Sequence, residues 1–224
     1  MSLIEFPDVV QGSDAWHEQR RGIVTASVVA KLITPSTLKP ANNPESRGLT
    51  ALLAAERITG YTDPTHMTDD MWRGVEDEPR ARDKYAEHYA PVTETGFMVR
   101  DDWGFPIGYS PDGLVGDNGL IEIKSRRQKK HLQTILADAV PAENMAQLQT
   151  GLLVSGRDWI DYISYCGGMP MWVKRVTPDP RWQTAIVDAV RAFEKAADEM
   201  AARYLDAVKG LPTTERVTEL EMVI

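Results

Sequence analysis

The chain has 224 residues, 42% of them hydrophobic and 26% charged, which suits one large α/β domain with its own core and excludes a disordered or fibrous class. A formal net charge of −8 argues against a protein that holds nucleic acid by charge alone, because phosphate affinity comes from Lys and Arg, but it allows an enzyme whose carboxylates hold metal while grouped basic residues track a substrate. One cysteine, Cys166, excludes an intrachain disulfide and a four-thiolate zinc or iron–sulfur site, while the absence of a signal-like start in MSLIEFPDVV and of any long apolar run predicts a cytoplasmic protein with no membrane partner.

In chain order, Ser13 or Asp14 caps a short helix through Arg20, and Gly22 turns the chain toward TASVVAKLI, where Thr25 is the expected N-cap of a second helix. The segment 35–46, with three prolines and two asparagines, reads as a loop; LTALLAAERITG is helical with Gly60 as its stop. In DDMWRGVEDEPRARDKYAEHYA, Ala81, Tyr85 and Tyr89 recur at helical spacing and Pro79 is placed near the first turn. Strand signals follow in ETGFMVR, the stretch 106–109, DGLV, LIEIK, WIDYISY and MWVKRV, interleaved with helices at about 128–137 and 143–154. A long amphipathic helix runs through Trp182, Ile186, Val190, Phe193, Ala197, Met200 and Tyr204. The pattern predicts an α/β fold with a central mixed sheet flanked by helices, one domain over 1–210 and a tail over 211–224. Trp16, Trp72, Trp159, Trp172 and Trp182 are assigned to core or interface.

Chemistry concentrates in YSPDGLVGDNGLIEIKS, from Tyr109 to Ser125. Gly116-Asp117-Asn118-Gly119 reverses the chain, so DGLV and LIEIK pair antiparallel and Asp112 comes within about a residue of standing opposite Glu122. Strand alternation sends Ile121 and Ile123 to one face and Glu122 with Lys124 to the other. Any half-buried strand shows such alternation, and only the upstream aspartate makes it chemical. Two carboxylates and one ammonium in a cluster suit Mg²⁺, a hard cation that keeps waters and substrate phosphates in its remaining positions. The lysine can then orient a water or neutralise charge in the transition state.

Pro111-Asp112, nine residues, then Glu122-Ile123-Lys124 resembles the PD-(D/E)XK nuclease motif. The order SPDG, turn, IEIK, helix, AQLQ, preceded by WHEQRRGIVTAS, is similar to the lambda-exonuclease or YqaJ-type viral recombinase family from about Gly12 to Val176. The resemblance implies a restriction-endonuclease-like core and a Mg²⁺-dependent 5′-to-3′ exonuclease on linear duplex DNA, with Mn²⁺ able to substitute. It would release 5′-mononucleotides and leave a 3′ single strand. It further implies a ring-shaped homotrimer that binds DNA ends and works with a single-strand annealing protein.

Carried onto this chain, the family pattern makes Asp112, Glu122 and the backbone carbonyl of Ile123 metal ligands, and Lys124 a catalytic residue. Trp72, Gly74, Glu78, Ala81 and Arg82 match its helix pattern, so Glu78 becomes a further carboxylate of the metal shell, although acidic residues near a helix start also complement its dipole. Gln147 and Gln149 stand about 200° apart on a helix and cannot both face one site; the family's second glutamine selects Gln149 as catalytic. Arg20, Ser27 and Ser110 are implied to grip the 5′-phosphate, Ser27 from the first turn of the helix expected there, where free amides favour an anion. Asp102 matches an acidic family position and equally suits a turn. In SRRQKKH, the cations Arg126, Arg127, Lys129 and Lys130 oppose the dipole of the helix they begin, which suggests a track for the DNA backbone. The rival readings are a PD-(D/E)XK endonuclease, restriction-type or CRISPR-associated without an iron–sulfur cluster, and a non-catalytic DNA-end-binding subunit.

Overall fold

The computed structural model describes residues 3–64 and 66–216. Strand β1 (Leu3–Phe6) leads to helix α1 (Asp14–Arg20), capped by the Ser13 hydroxyl accepting the Trp16 N–H. Strand β2 (Val24–Thr25) and a single 3-10 helix at Val29–Leu32 follow. The helix expected from Thr25 does not form there: Val24 and Thr25 are β-branched and pair with Ile107 and Gly108 across the fold, where χ1-restricted side chains fit better than in a helix.

Within the expected loop, β3 (Ile33–Thr34) pairs with β4 (Lys39–Pro40). Helix α2 (Pro44–Thr59) starts at a capping box between Asn43 and Ser46 and stops at Gly60, whose φ of 62° terminates it. Helix α3 (Asp69–His88) is capped by Thr68, so Pro79 lies in its interior and not in its first turn. Ala81 and Tyr85 face inward, whereas Tyr89 sits at the C-cap and is exposed.

Then come β5 (Phe97–Arg100), β6 (Ile107–Tyr109), β7 (Gly113–Val115), β8 (Gly119–Ser125), α4 (Gln128–Ala137), α5 (Ala142–Ser155), β9 (Trp159–Tyr165), β10 (Trp172–Val176) and α6 (Pro180–Ala207). Hydrogen bonding sorts the other strands into two mixed four-stranded sheets, in orders β1-β5-β6-β2 and β10-β9-β8-β7, which helices flank as expected of a mixed α/β fold. In each sheet one parallel pair, β2 with β6 or β8 with β9, sits among antiparallel neighbours.

Two apolar clusters cover β8 and β9 from opposite sides. Leu120 and Ile160 join the larger one with Leu148, Leu152, Ile186, Val190 and Phe193 of α5 and α6, while Ile121, Ile123 and Ile163 pack with Ala81 and Tyr85 of α3. Burial on both faces is usual for strands in parallel pairs, and it leaves Glu122 on the polar face of β8 closed off from water while Lys124 keeps partial exposure. Trp159, Trp172 and Trp182 pack on these clusters and Trp72 is exposed. Residues 211–216 of the expected tail have no regular structure, and the rest of it lies outside the described residues. Among the described residues no helix is long and apolar enough to cross a membrane.

Candidate active site

The β7–β8 hairpin has the register Gly113↔Ile121 and Val115↔Gly119, which, continued by one residue, sets Asp112 across from Glu122. The Asp112 Oδ2 accepts the Ile123 N–H at 2.6 Å. A strand residue's N–H and C=O leave by the same edge, so the Ile123 carbonyl is directed to the side where Asp112 stands. Glu122 is 1% exposed. Its Oε1 accepts from Lys124 Nζ at 2.7 Å and from Gln147 Nε2 at 2.5 Å, and the Tyr109 hydroxyl approaches Oε2 at 3.5 Å. A glycine at 151 lets α5 come this close: a Cβ there would lie 2.7 Å from Cζ of Tyr109. Gln147, one turn earlier on the same face, thereby reaches the glutamate.

Burial and the neighbouring carboxylates Glu122 and Glu78 push Asp112 well above the usual carboxylate range. Glu78 is also raised, by burial first, against the opposing charge of Arg82 and with the help of Glu122. Burial pulls Lys124 down, but Glu122 and Asp112 outweigh it and the ammonium is held above its ordinary value. Lys124 and Arg82 therefore face the four carboxylates Asp112, Glu122, Glu78 and Glu94, and the excess negative charge suits a bound cation. Arg82 steadies the group: its Nε donates to the Asp112 carbonyl at 2.9 Å, its Nη2 to Glu78 at 2.5 Å, and its Nη1 lies 2.9 Å from Glu94. Apart from its place in the Ala-Arg pair, nothing in the sequence pointed to this splint.

The donor set is oxygen only, with carboxylates of Asp112, Glu122 and Glu78 and the Ile123 carbonyl, which fits a hard divalent ion. Among the described residues no three His, Cys, Asp or Glu side chains close into a ready-made cage. An ion that keeps waters and substrate oxygens needs no such cage.

The choice of Gln149 is reversed by the geometry. Gln149 is fully buried and turned away, donating to the Thr177 carbonyl at 2.9 Å and accepting the Asp179 N–H at 2.8 Å, so it joins α5 to the start of α6. Gln147 is the glutamine on the carboxylate cluster.

Two residues upstream of Asp112, Ser110 opens a second group. Its Oγ accepts from Trp16 Nε1 at 2.9 Å and from Arg20 Nη1 at 3.4 Å, and Arg20 Nη2 donates to Ser27 Oγ at 3.1 Å and Thr25 Oγ1 at 3.3 Å. The guanidinium also lies over the Trp16 ring, 3.9 Å from its centroid. Arg20, Ser27 and Ser110 thus come together although the helix expected at Ser27 is absent, so hydroxyls replace helix amides as the polar lining. Thr25 and Trp16 were missed, because β2 and the α1 face that bring them in are defined only by tertiary pairing. Among the described residues no carboxylate is hydrogen-bonded to Arg20. Burial lowers it to about 10, against the raising influence of Glu56, so the cation is intact at neutral pH and under-compensated.

The basic run behaves differently from the expected track. Arg126 turns inward to Asn144 Oδ1 at 2.7 Å and the Tyr162 hydroxyl at 3.1 Å, while Arg127 pairs with Asp70 and Lys130 with Glu143. His131 is fully buried between Ser164 and the Pro170 carbonyl. Arg127 and Lys129 remain exposed at the start of α4. Asp102 lies beside Arg100 at 3.9 Å.

The chain is similar to the alkaline exonuclease LHK-Exo of Laribacter hongkongensis, with 31% identity over 89% of this chain and 100% of that one and a TM-score of 0.79; the same enzyme in complex with dAMP gives 0.78. A phage-related exonuclease of Haemophilus somnus 129PT shares the fold at 14% identity and a TM-score of 0.66, over 81% of this chain and 96% of that one. None of the curated proteins compared matches the chain. The model of the YqaJ-like viral recombinase domain matches residues 15–158, a span that holds both polar groups described above, and the chain belongs to that family.

Proposed function

We propose that this family member, a nuclease acting on DNA, is a divalent-metal-dependent exonuclease that enters linear duplex at a 5′ end and removes nucleotides toward the 3′ end of that strand. The observation that carries the reading is the placement of Ser110 and Asp112 on either side of Pro111: a cluster of one arginine with hydroxyls and a buried carboxylate pair are separated by two residues, at most about 7 Å of chain. Terminal-phosphate binding and hydrolysis of the next diester are then one nucleotide apart.

Asp112, Glu122, Glu78 and the Ile123 carbonyl would hold Mg²⁺, with Mn²⁺ as a substitute, which when bound would supply Lewis acidity and activate water at this cluster. Lys124, held on Glu122, positions its ammonium for the attacking water or the charge that develops on phosphate. Gln147 orients the same carboxylate. Arg20, with Ser27, Ser110 and Thr25, binds the terminal phosphate by charge-assisted hydrogen bonds, and exposed Arg127 and Lys129 contact the DNA backbone. The products are 5′-mononucleotides and a 3′ single strand suited to an annealing protein, and a homotrimeric ring in the cytoplasm is the assembly we assign. One experiment tests the core of this: end-labelled linear duplex and closed circular duplex are incubated with Mg²⁺ or with a chelator. Mononucleotide release from linear DNA only, and only with metal, is expected; cutting of the closed circle would favour the endonuclease.

A further inference from the structure

The corner that delivers Arg20 to its pocket is held from outside. Gly22 follows Arg20 by two residues and precedes Thr25 by three. Its N–H donates to the buried carboxylate Glu56 Oε2 at 2.7 Å, and its carbonyl accepts from Arg57 Nε, also at 2.7 Å. Two consecutive residues of α2 therefore grip both polar groups of one glycine. The fit is specific to glycine: φ is +67°, and a Cβ would stand 2.5 Å from Arg57 Cγ. Arg57 is fixed in turn by Glu194 of α6 through a bidentate pair at 2.6 and 2.7 Å, with its guanidinium 5.2 Å from the centroid of Phe193. Glu194 lies beyond the 15–158 span of the family match.

No atom of Glu56, Arg57 or Glu194 is hydrogen-bonded to the Arg20 pocket. We propose that these three are positioning residues for terminal-phosphate discrimination: through the Gly22 peptide they set the direction in which Arg20 points at Ser27 and Ser110, so that the C-terminal helix helps to define end specificity. The physical reason is leverage. The backbone between Arg20 and Thr25 carries both the cation and one of its hydroxyl partners, and misplacing a binding group by about 1 Å can cost up to about 10²-fold. Glu56 also supplies negative charge near Arg20, but the hydrogen bond and not the charge is the feature argued for, and the two are separable by substitution.

The inference rests on the assignment of Arg20 to a 5′-phosphate pocket. Initial rates at low substrate on 5′-phosphorylated and 5′-hydroxyl linear duplex give a phosphate preference for the wild type, Arg20→Ala, Glu56→Ala, Glu56→Gln, Glu194→Ala and the double variant Arg20→Ala/Glu56→Ala. Glu56→Ala should cut the preference by about tenfold, a fraction of the effect a 1 Å displacement can have, with the hydroxyl-end rate within about twofold. Glu56→Gln keeps an acceptor for the Gly22 N–H and should retain the preference. Glu194→Ala should narrow it by about two- to threefold, and it carries the test if Glu56→Ala does not fold. The double variant should lose no more than Arg20→Ala alone, since non-additivity is the mark of one residue acting through another. A wild type without phosphate preference overturns the pocket and this inference together. If Arg20→Ala erases the preference while Glu56→Ala and Glu194→Ala leave it intact, or if Glu56→Gln fails like Glu56→Ala, the pocket stands and the positioning role falls.

Discussion

The two polar groups on either side of Pro111 are electrical opposites. Around Asp112, like charges are buried together: Asp112 and Glu78 are both held above the usual carboxylate range, and Lys124 and Arg82 together do not offset all of them. Around Arg20, a single cation meets hydroxyls and an aromatic face, and burial pulls it down to about 10. Each is a site short of its counter-charge, one lacking a cation and the other an anion, which is what a substrate with metal-bound and free phosphates would supply. The cost of leaving both incomplete falls on the empty protein, and binding recovers it.

Removing the charge excess should break the first group most completely. Asp112→Asn or Glu122→Gln should abolish hydrolysis, a loss beyond the roughly 10³-fold that one transition-state donor is worth, while duplex binding persists because repulsion of phosphate also falls; rates and binding isotherms on one preparation check this, and near-normal hydrolysis would remove either residue from the site. Lys124→Ala should lose about 10²- to 10³-fold in kcat, since the ammonium serves charge that appears during reaction. Restoration of full activity by excess Mg²⁺ would show that it acts only in the ground state.

The opposite group is broken by Arg20→Ala. A loss of about 1.5–3 kcal/mol, the scale of a hydrogen bond to a charged group, corresponds to roughly ten- to hundredfold on 5′-phosphorylated duplex, with a smaller effect on hydroxyl ends. Equal losses on both ends would misplace the pocket. Of the two glutamines, Gln147→Ala should reduce the rate about tenfold, a fraction of a full transition-state donor because it acts through Glu122. Gln149→Ala should leave the rate unchanged and cost about 1–3 kcal/mol in urea unfolding, because the Asp179 N–H and Thr177 carbonyl lose their buried partner. The reverse pattern would return the catalytic assignment to Gln149.

The smallest expected effect is on stability. Because the folded-state value for Asp112 is raised, the folded protein binds that proton more tightly than the unfolded chain. Its stabilising contribution is complete below the unfolded value of about 4 and is lost as pH rises through the folded value. Above that folded value the ionised group is a burden on the metal-free fold. Asp112→Asn should remove it, and a relief of about 1 kcal/mol raises Tm by about 2–4 °C in a chain of this size. Thermal melts without metal, at neutral and acidic pH, measure it; a variant that melts lower than wild type at neutral pH would contradict the frustrated-charge account. Adding Mg²⁺ should stabilise the wild type more than the variant.

What the sequence determined by itself was local. The glycine-bounded reversal at 116–119 pairs β7 antiparallel with β8 and brings Asp112 to within about a residue of Glu122, while the register itself, Gly113 with Ile121, came from the folded sheet. The caps at Ser13 and Gly60, α4, α5 and the face of α6 were legible for the same reason: each is a relation among residues a few positions apart. Tertiary structure decided what depends on rotation and distant partners. Both Gln147 and Gln149 lie on a helix covered on most of its sides, so no polar stripe gave its phase, and only the approach of α5 to Tyr109 at Gly151 turned Gln147 toward Glu122. Thr25 became a strand residue because β6 was there to pair with it, and Arg126 turned inward because Asn144 and Tyr162 accept its hydrogen bonds. The Gly22 clasp joins residues 22, 56, 57 and 194. Its hydrogen bonds are short in space and long in sequence, and no local periodicity encodes them.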